Sequence, residues 1–116
     1  MDYLIVINGP PYGSERSYNA LRLALSLAGR EGIGVRVFLV GDAVACALAG
    51  QHTPDGYYNL ESMLQGLAEE RVPVGCCGTC LEARGITEDR LAEGATHSSV
   101  EELTDWTLWA DKVVSF

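Results

Sequence analysis

The sequence predicts an α/β fold: a parallel sheet with helices on both faces. Three observations carry this. Tyr3-Leu4-Ile5-Val6-Ile7 is a continuous apolar, β-branched run, the pattern of a strand covered on both faces. Val35–Val40 repeats it. Between these runs, and again further on, apolar residues recur at helical spacing, so strand and helix alternate along the chain. The 116 residues suit a single domain spanning 1–116. No internal repeat, low-complexity tract or linker divides it.

The first strand stops at Asn8-Gly9-Pro10-Pro11. Ser14 is placed to cap the first helix, with Glu15 in its first turn facing the positive helix end. Tyr18, Leu21, Leu25 and Ala28 share one helical face, and Gly29, Gly32 and Gly34 close the helix. After the second strand, Gly41-Asp42 turns into a short apolar helix over 43–49. Residues 50–56, Gly-Gln-His-Thr-Pro-Asp-Gly, are turn formers and read as a loop. Asn59 caps the next helix, which buries Leu60, Met63, Leu64 and Leu67. Val72-Pro73-Val74 is a short third strand, and 94–96 a fourth. Ser99 opens a helix with Glu101 and Glu102 at its start and Leu103, Trp106 and Ala110 on one side. Residues 113–116 form the last strand. In such folds the loops at the carboxyl ends of the strands carry the chemistry, and the loops after strands one, two and three all belong to that edge.

Lysine and arginine total 8 against 16 acidic residues, a net charge of −8, and Lys112 is the sole lysine. No basic cluster exists, which argues against direct binding to nucleic acid or to an anionic membrane. The start of the chain lacks a basic region and a long apolar core, so no secretory signal is read there. No stretch approaches the ~20 apolar residues of a membrane span. A cytoplasmic protein is expected. Thiols there are kept reduced, so clustered cysteines point to redox, metal or sulfur chemistry rather than to disulfide staples.

The four cysteines are Cys46, Cys76, Cys77 and Cys80, three of them within five residues. Cys77 and Cys80 form C-x-x-C where a strand gives way to a short helix. Free backbone N–H groups and the positive helix end stabilise a thiolate at such a place. Arg84 adds positive charge if the chain folds back. The thiolate is the nucleophilic form and the one that accepts or passes sulfur. Cys46 lies in an apolar run and reads as a small core residue. Cys76 is open between core and site. The glycines and threonine around Cys77 and Cys80 make a poor core segment.

Two other readings of the pair remain at this point. A zinc site needs four ligands, and one C-x-x-C supplies two. His52, His97 and Cys46 are the only soft candidates left, and none forms a second pair, so no metal is expected. A dithiol oxidoreductase also places C-x-x-C after a strand. Gly9-Pro-Pro-Tyr-Gly-Ser14 lacks the lysine of a phosphate loop and the spacing of a dinucleotide loop, and no cofactor is expected. It reads as a rigid turn, with Tyr12 a candidate to line the site. His52, in a polar loop, and His97, near a helix start, have the chemistry of a proton shuttle near neutral pH, but the simpler reading is an exposed loop histidine at each. One of Trp106 and Trp109 is expected in the core and the other at a subunit contact.

The chain resembles the DsrE/DsrF-like family, and within it the YchN-like and TusD-related members. The residues that carry the resemblance are Tyr3-Leu-Ile-Val-Ile-Asn-Gly-Pro-Pro-Tyr-Gly-Ser-Glu15, Leu21-Arg-Leu-Ala-Leu25, Val37-Phe-Leu-Val-Gly-Asp-Ala-Val44, Cys77-Gly-Thr-Cys-Leu-Glu-Ala-Arg-Gly-Ile86 and Trp106-Thr-Leu-Trp-Ala-Asp-Lys-Val-Val114. It implies a three-layer α/β/α domain with a five-stranded parallel sheet, assembled into trimers or hexamers with sites near subunit contacts. It also implies sulfur relay: persulfide sulfur accepted from a donor protein and passed to an acceptor protein. The sulfur-carrying cysteine of the family stands a few residues before an Arg-Gly pair, which is Cys77 before Arg84-Gly85 here. Cys80 matches a second cysteine of YchN-like members, and Cys76 has no counterpart in the pattern. The expected protein is a persulfide carrier or sulfurtransferase using Cys77, with Cys80 assisting and Arg84, Cys76 and Tyr12 supporting. The alternatives are a non-catalytic oligomeric module whose C-x-x-C holds a metal, and a dithiol oxidoreductase.

Overall fold

The computed structural model describes residues 1–55 and 58–116. Gly56, the last of the turn formers in the 50–56 loop, lies outside the described residues. Strands β1 (Asp2–Ile7), β2 (Gly34–Leu39), β3 (Val74–Cys77), β4 (Ala95–Ser98) and β5 (Lys112–Ser115) form one sheet in the order β4-β3-β2-β1-β5. All four pairings are parallel. Helices α1 (Arg16–Ala28), α2 (Leu60–Glu69), α3 (Gly78–Ala83) and α4 (Val100–Trp109) connect them, with 3₁₀ segments at Gly41–Ala47 and Glu88–Arg90.

The strand order explains the layers. The chain steps from β1 through β4 in one direction, then α4 carries it back across the sheet to β5. With right-handed crossovers, that reversal puts α4 on the face opposite α1 and α2. The core divides accordingly. Ile5, Ile7, Val37 and Leu39 point to one face and pack with Ala20, Leu21 and Ala24 of α1 and Leu60, Leu64 and Leu67 of α2. Their strand neighbours Leu4 and Phe38 point the other way and pack with Trp106 of α4. Each of these large apolar side chains, fully removed from water, contributes about 1.5–3 kcal/mol. The expected three-layer α/β/α domain with a five-stranded parallel sheet is the observed one.

Local details differ from the sequence reading. Glu15 rather than Ser14 is the cap of α1 and offers it no side-chain bond; Ser14 Oγ instead accepts the Arg16 amide at 3.4 Å. The buried stripe of α1 is Ser17, Ala20, Leu21 and Ala24, with Tyr18, Leu25 and Ala28 on its flanks. Small residues at its centre let the helix lie close to the sheet. The turn after β2 is a 3₁₀ segment beginning at Gly41 rather than a helix beginning at Ala43.

The third strand is displaced most: it runs over 74–77, not 72–74. Arg71 sits in the left-handed region with φ 59°. The amide of Val72 then returns to the Leu67 carbonyl at 2.9 Å, closing the end of α2. Pro73 has no N–H to give a ladder, so pairing with β2 begins at Val74. This shift carries Cys76 into the strand, where it is fully buried. Asn59 and Ser99 cap α2 and α4 as expected, accepting the amides of Ser62 at 3.1 Å and Glu102 at 3.2 Å.

Candidate active site

Cys77 closes β3 and caps α3, so its side chain leaves the sheet at the carboxyl edge. It packs against both halves of the core and is half-buried. The hydrogen-bond donors around its Sγ converge. The Cys80 amide lies at 3.4 Å, the Cys80 thiol at 2.6 Å and the Thr79 hydroxyl at 3.4 Å. Burial pushes the Cys77 thiol up, but these side-chain and backbone donors outweigh it and hold the thiol below its ordinary value.

Cys80 behaves oppositely. Burial and its bond to Cys77 push its thiol up, while the Gly41 amide and the Arg84 charge act to lower it. The Gly41 amide donates to Cys80 Sγ at 3.2 Å, joining the loop after β2 to the loop after β3. Proton and charge are thus divided between the two sulfurs: Cys77 is the readier thiolate and Cys80 the readier thiol.

Arg84 does fold back. Its Nη1 donates to the Cys80 carbonyl at 3.0 Å and its Nη2 meets Asp42 Oδ1 at 2.8 Å. It therefore braces α3 against the 3₁₀ segment after β2. Cys46 and Cys76 are fully buried in the larger half of the core. Burial pushes their thiols up to about 11 and about 12, which makes both poor nucleophiles at neutral pH.

A cleft of about 440 Å³ opens beside Cys77. Phe38, Val40 and Leu103 give it an apolar floor, and Thr79, Glu82 and His97 stand around the cysteine. The sequence reading favours an exposed loop histidine at His97 and does not anticipate this floor. His97 lies on edge strand β4, where register pairs it with Cys76, and its ring rests on the backbone of Gly78. A Cβ at Gly78 would come within 3 Å of both His97 Cε1 and the Ser98 carbonyl oxygen. Only glycine fits there, and Cys77-Gly78 is the one local hint that something packs close.

Tyr12 is placed elsewhere. It lines a separate pocket with His52, Thr53, Pro54 and Tyr58. Its hydroxyl donates to Gln51 Oε1 at 2.6 Å and accepts the Leu60 amide at 3.3 Å, a loop-pinning role. Trp106 is the core tryptophan, edge-on to Phe38 with centroids 5.9 Å apart. Trp109 lies over the Arg36 guanidinium at 4.0 Å. Among the described residues, no three His, Cys, Asp or Glu side chains converge to hold a metal ion. No helix of the described residues is long and apolar enough to cross a membrane.

A parallel α/β/α domain with a cysteine pair at the carboxyl edge defines a class, and comparison with known proteins identifies it. The chain belongs to the DsrE/DsrF-like family, whose model matches residues 1–116. It is 46% identical over 114 residues to protein YchN of Escherichia coli, covering 97% of each chain. The crystal structure of ychN protein from E. coli superposes with a TM-score of 0.94 at 45% identity, covering 99% of this chain and 98% of that one. A relative named sulfurtransferase TusD homolog, from Vibrio parahaemolyticus, is 29% identical over 128 residues, covering 100% of this chain and 98% of its own.

Proposed function

We propose that this protein is a cytoplasmic sulfur carrier, a sulfurtransferase that accepts sulfane sulfur on Cys77 and passes it to an acceptor protein. One observation carries the reading: the half-buried Cys77 sulfur is met by three donors that favour its thiolate, beside an open cleft. The family and its sulfurtransferase relatives support sulfur relay in general. The thiolate attacks the outer sulfur of a persulfide and keeps it as Cys77–S–SH. Donor and acceptor proteins are the partners this requires, and assembly of the chain into trimers or hexamers belongs to the same reading.

Cys80 gives the carrier two exits. A protein thiol can take the outer sulfur, or Cys80 can attack the inner sulfur, forming the Cys77–Cys80 disulfide and releasing sulfide. The 2.6 Å separation of the two sulfurs also favours a second reading, a dithiol oxidoreductase that needs no persulfide.

Mass spectrometry after exposure to a persulfide donor separates these. The carrier gains about 32 Da per sulfur, with Cys80→Ala retaining the gain and Cys77→Ser losing it. Undiminished gain in Cys77→Ser would sink the proposal. Insulin reduction without any persulfide adduct would favour the oxidoreductase.

A further inference from the structure

We propose that His97 is the proton donor to the thiol that leaves when Cys77 takes sulfur from a persulfide. The inference rests on the sulfur-carrier reading and goes beyond it by assigning a second residue to the chemistry. Three placements support it. His97 and Cys77 line the same cleft, together with Thr79 and Glu82. The imidazole rests directly on Gly78, the residue after Cys77, at a distance that excludes any side chain there. Its Nε2 lies 3.9 Å from Glu82 Oε1, on the same wall of the cleft.

Such a group assists the chemistry. The Cys77 thiolate attacks the outer sulfur of R–S–SH, and a new S–S bond forms as the donor's S–S bond breaks. The departing R–S⁻ takes the bonding electron pair and the proton of the His97 imidazolium, leaving as R–SH. Cys77–S–SH and neutral imidazole remain, so atoms and charge balance and no outside oxidant enters. A leaving thiol of higher pKa departs more slowly, so an alkyl thiolate gains most from a proton delivered as it leaves. Cys80 is the other nearby proton source, but its thiol already serves the Cys77 sulfur, and Glu82 is the remaining carboxyl beside the ring. The Glu101 carboxylate lines the same cleft from α4.

Leaving-group dependence tests this. The two reagents are glutathione persulfide, whose leaving thiol is alkyl, and a nitroaryl disulfide, whose thiolate leaves without a proton. His97→Asn should load from the persulfide about a hundredfold more slowly. Its Cys77 should react with the nitroaryl disulfide within about twofold of the unaltered protein. His97→Ala is the second variant, and free imidazole should restore part of its persulfide rate. Equal persulfide rates with and without His97 overturn the role. So does a parallel loss with both reagents, which would mean that His97 only shapes the loop. If the unaltered protein reacts with the disulfide but never loads from the persulfide, the sulfur-carrier reading itself fails and takes this role with it.

Discussion

Cys80 Sγ lies 2.6 Å from Cys77 Sγ while accepting the Gly41 amide at 3.2 Å. One thiol is therefore shared between the nucleophile and the loop after β2. Cys80→Ala removes a donor that holds Cys77 in its thiolate form. The Cys77 thiol should rise, and its alkylation near neutral pH should slow by about tenfold for each unit of rise. Iodoacetamide rates measured across pH give the direct reading. A faster Cys77 in this variant would show that the bond runs the other way.

Arg84 bears on Cys80 rather than on Cys77. Its pair with Asp42 is solvent-exposed, so its loss should cost under about 1 kcal/mol of stability. Arg84→Gln also removes a charge that acts to lower the Cys80 thiol. Thiolate absorbance should therefore show the second ionisation moving to higher pH, while thermal melting changes little. A large drop in melting temperature would show that the contacts of Arg84 with Asp42 and the Cys80 carbonyl carry more stability than an exposed pair does.

Buried thiols should weaken the fold at alkaline pH. Cys46 and Cys76 are held at about 11 and about 12, against an ordinary value of 9.0. Above pH ~9 the unfolded chain ionises these thiols while the folded chain keeps them protonated, so the unfolded state binds fewer protons. Their contribution is fully present below pH ~9 and is lost as pH rises towards 11 and 12. The slope is up to about 1.4 kcal/mol per pH unit for each thiol. Denaturant melts at pH ~8 and ~10.5 should show the fall, and Cys46→Ala should flatten it.

Trp106 is the main apolar residue that α4 gives to its face of the sheet. Trp106→Ala should cost about 3–5 kcal/mol in urea unfolding. The cleft beside Cys77 shares Phe38 and Leu103 with that packing, so the variant should also change the exposure of Cys77 to alkylation. A cost below about 1 kcal/mol would mean that α4 is held by something other than this ring.

The legible parts of the sequence were those where one physical pattern acts alone. The runs at β1 and β2 read as strands because both faces of a parallel sheet are apolar, and Asn59 and Ser99 read as caps because their bonds are local. β3 begins later than its apolar run because Arg71, in a backbone region usually left to glycine, closes the end of α2 and Pro73 has no amide for the ladder. Cys77 and Cys80 were visible from their spacing and their glycine-rich surroundings. Their partners were not: Gly41 is 39 residues from Cys80, and Asp42 is 42 from Arg84. His97 reaches the site through sheet register, which the linear sequence does not encode. Tyr12 shared a loop edge with the cysteines by topology, yet its hydroxyl is spent on Gln51 and Leu60.

The two faces of the sheet are unequally insulated. On one, α1, α2 and the 3₁₀ segment seal a broad core; on the other, Leu4, Phe38 and Trp106 form a small one under a single ten-residue helix. Cys77 touches both. Opening the α4 side exposes far less apolar surface than opening the other, so it is the cheaper fluctuation. Amide hydrogens of α4 should exchange with solvent before those of α1 or the central strands. Excursions of that helix would bare the thiol's flank while leaving the fold's main seam shut, so reagent access need not cost the protein its structure.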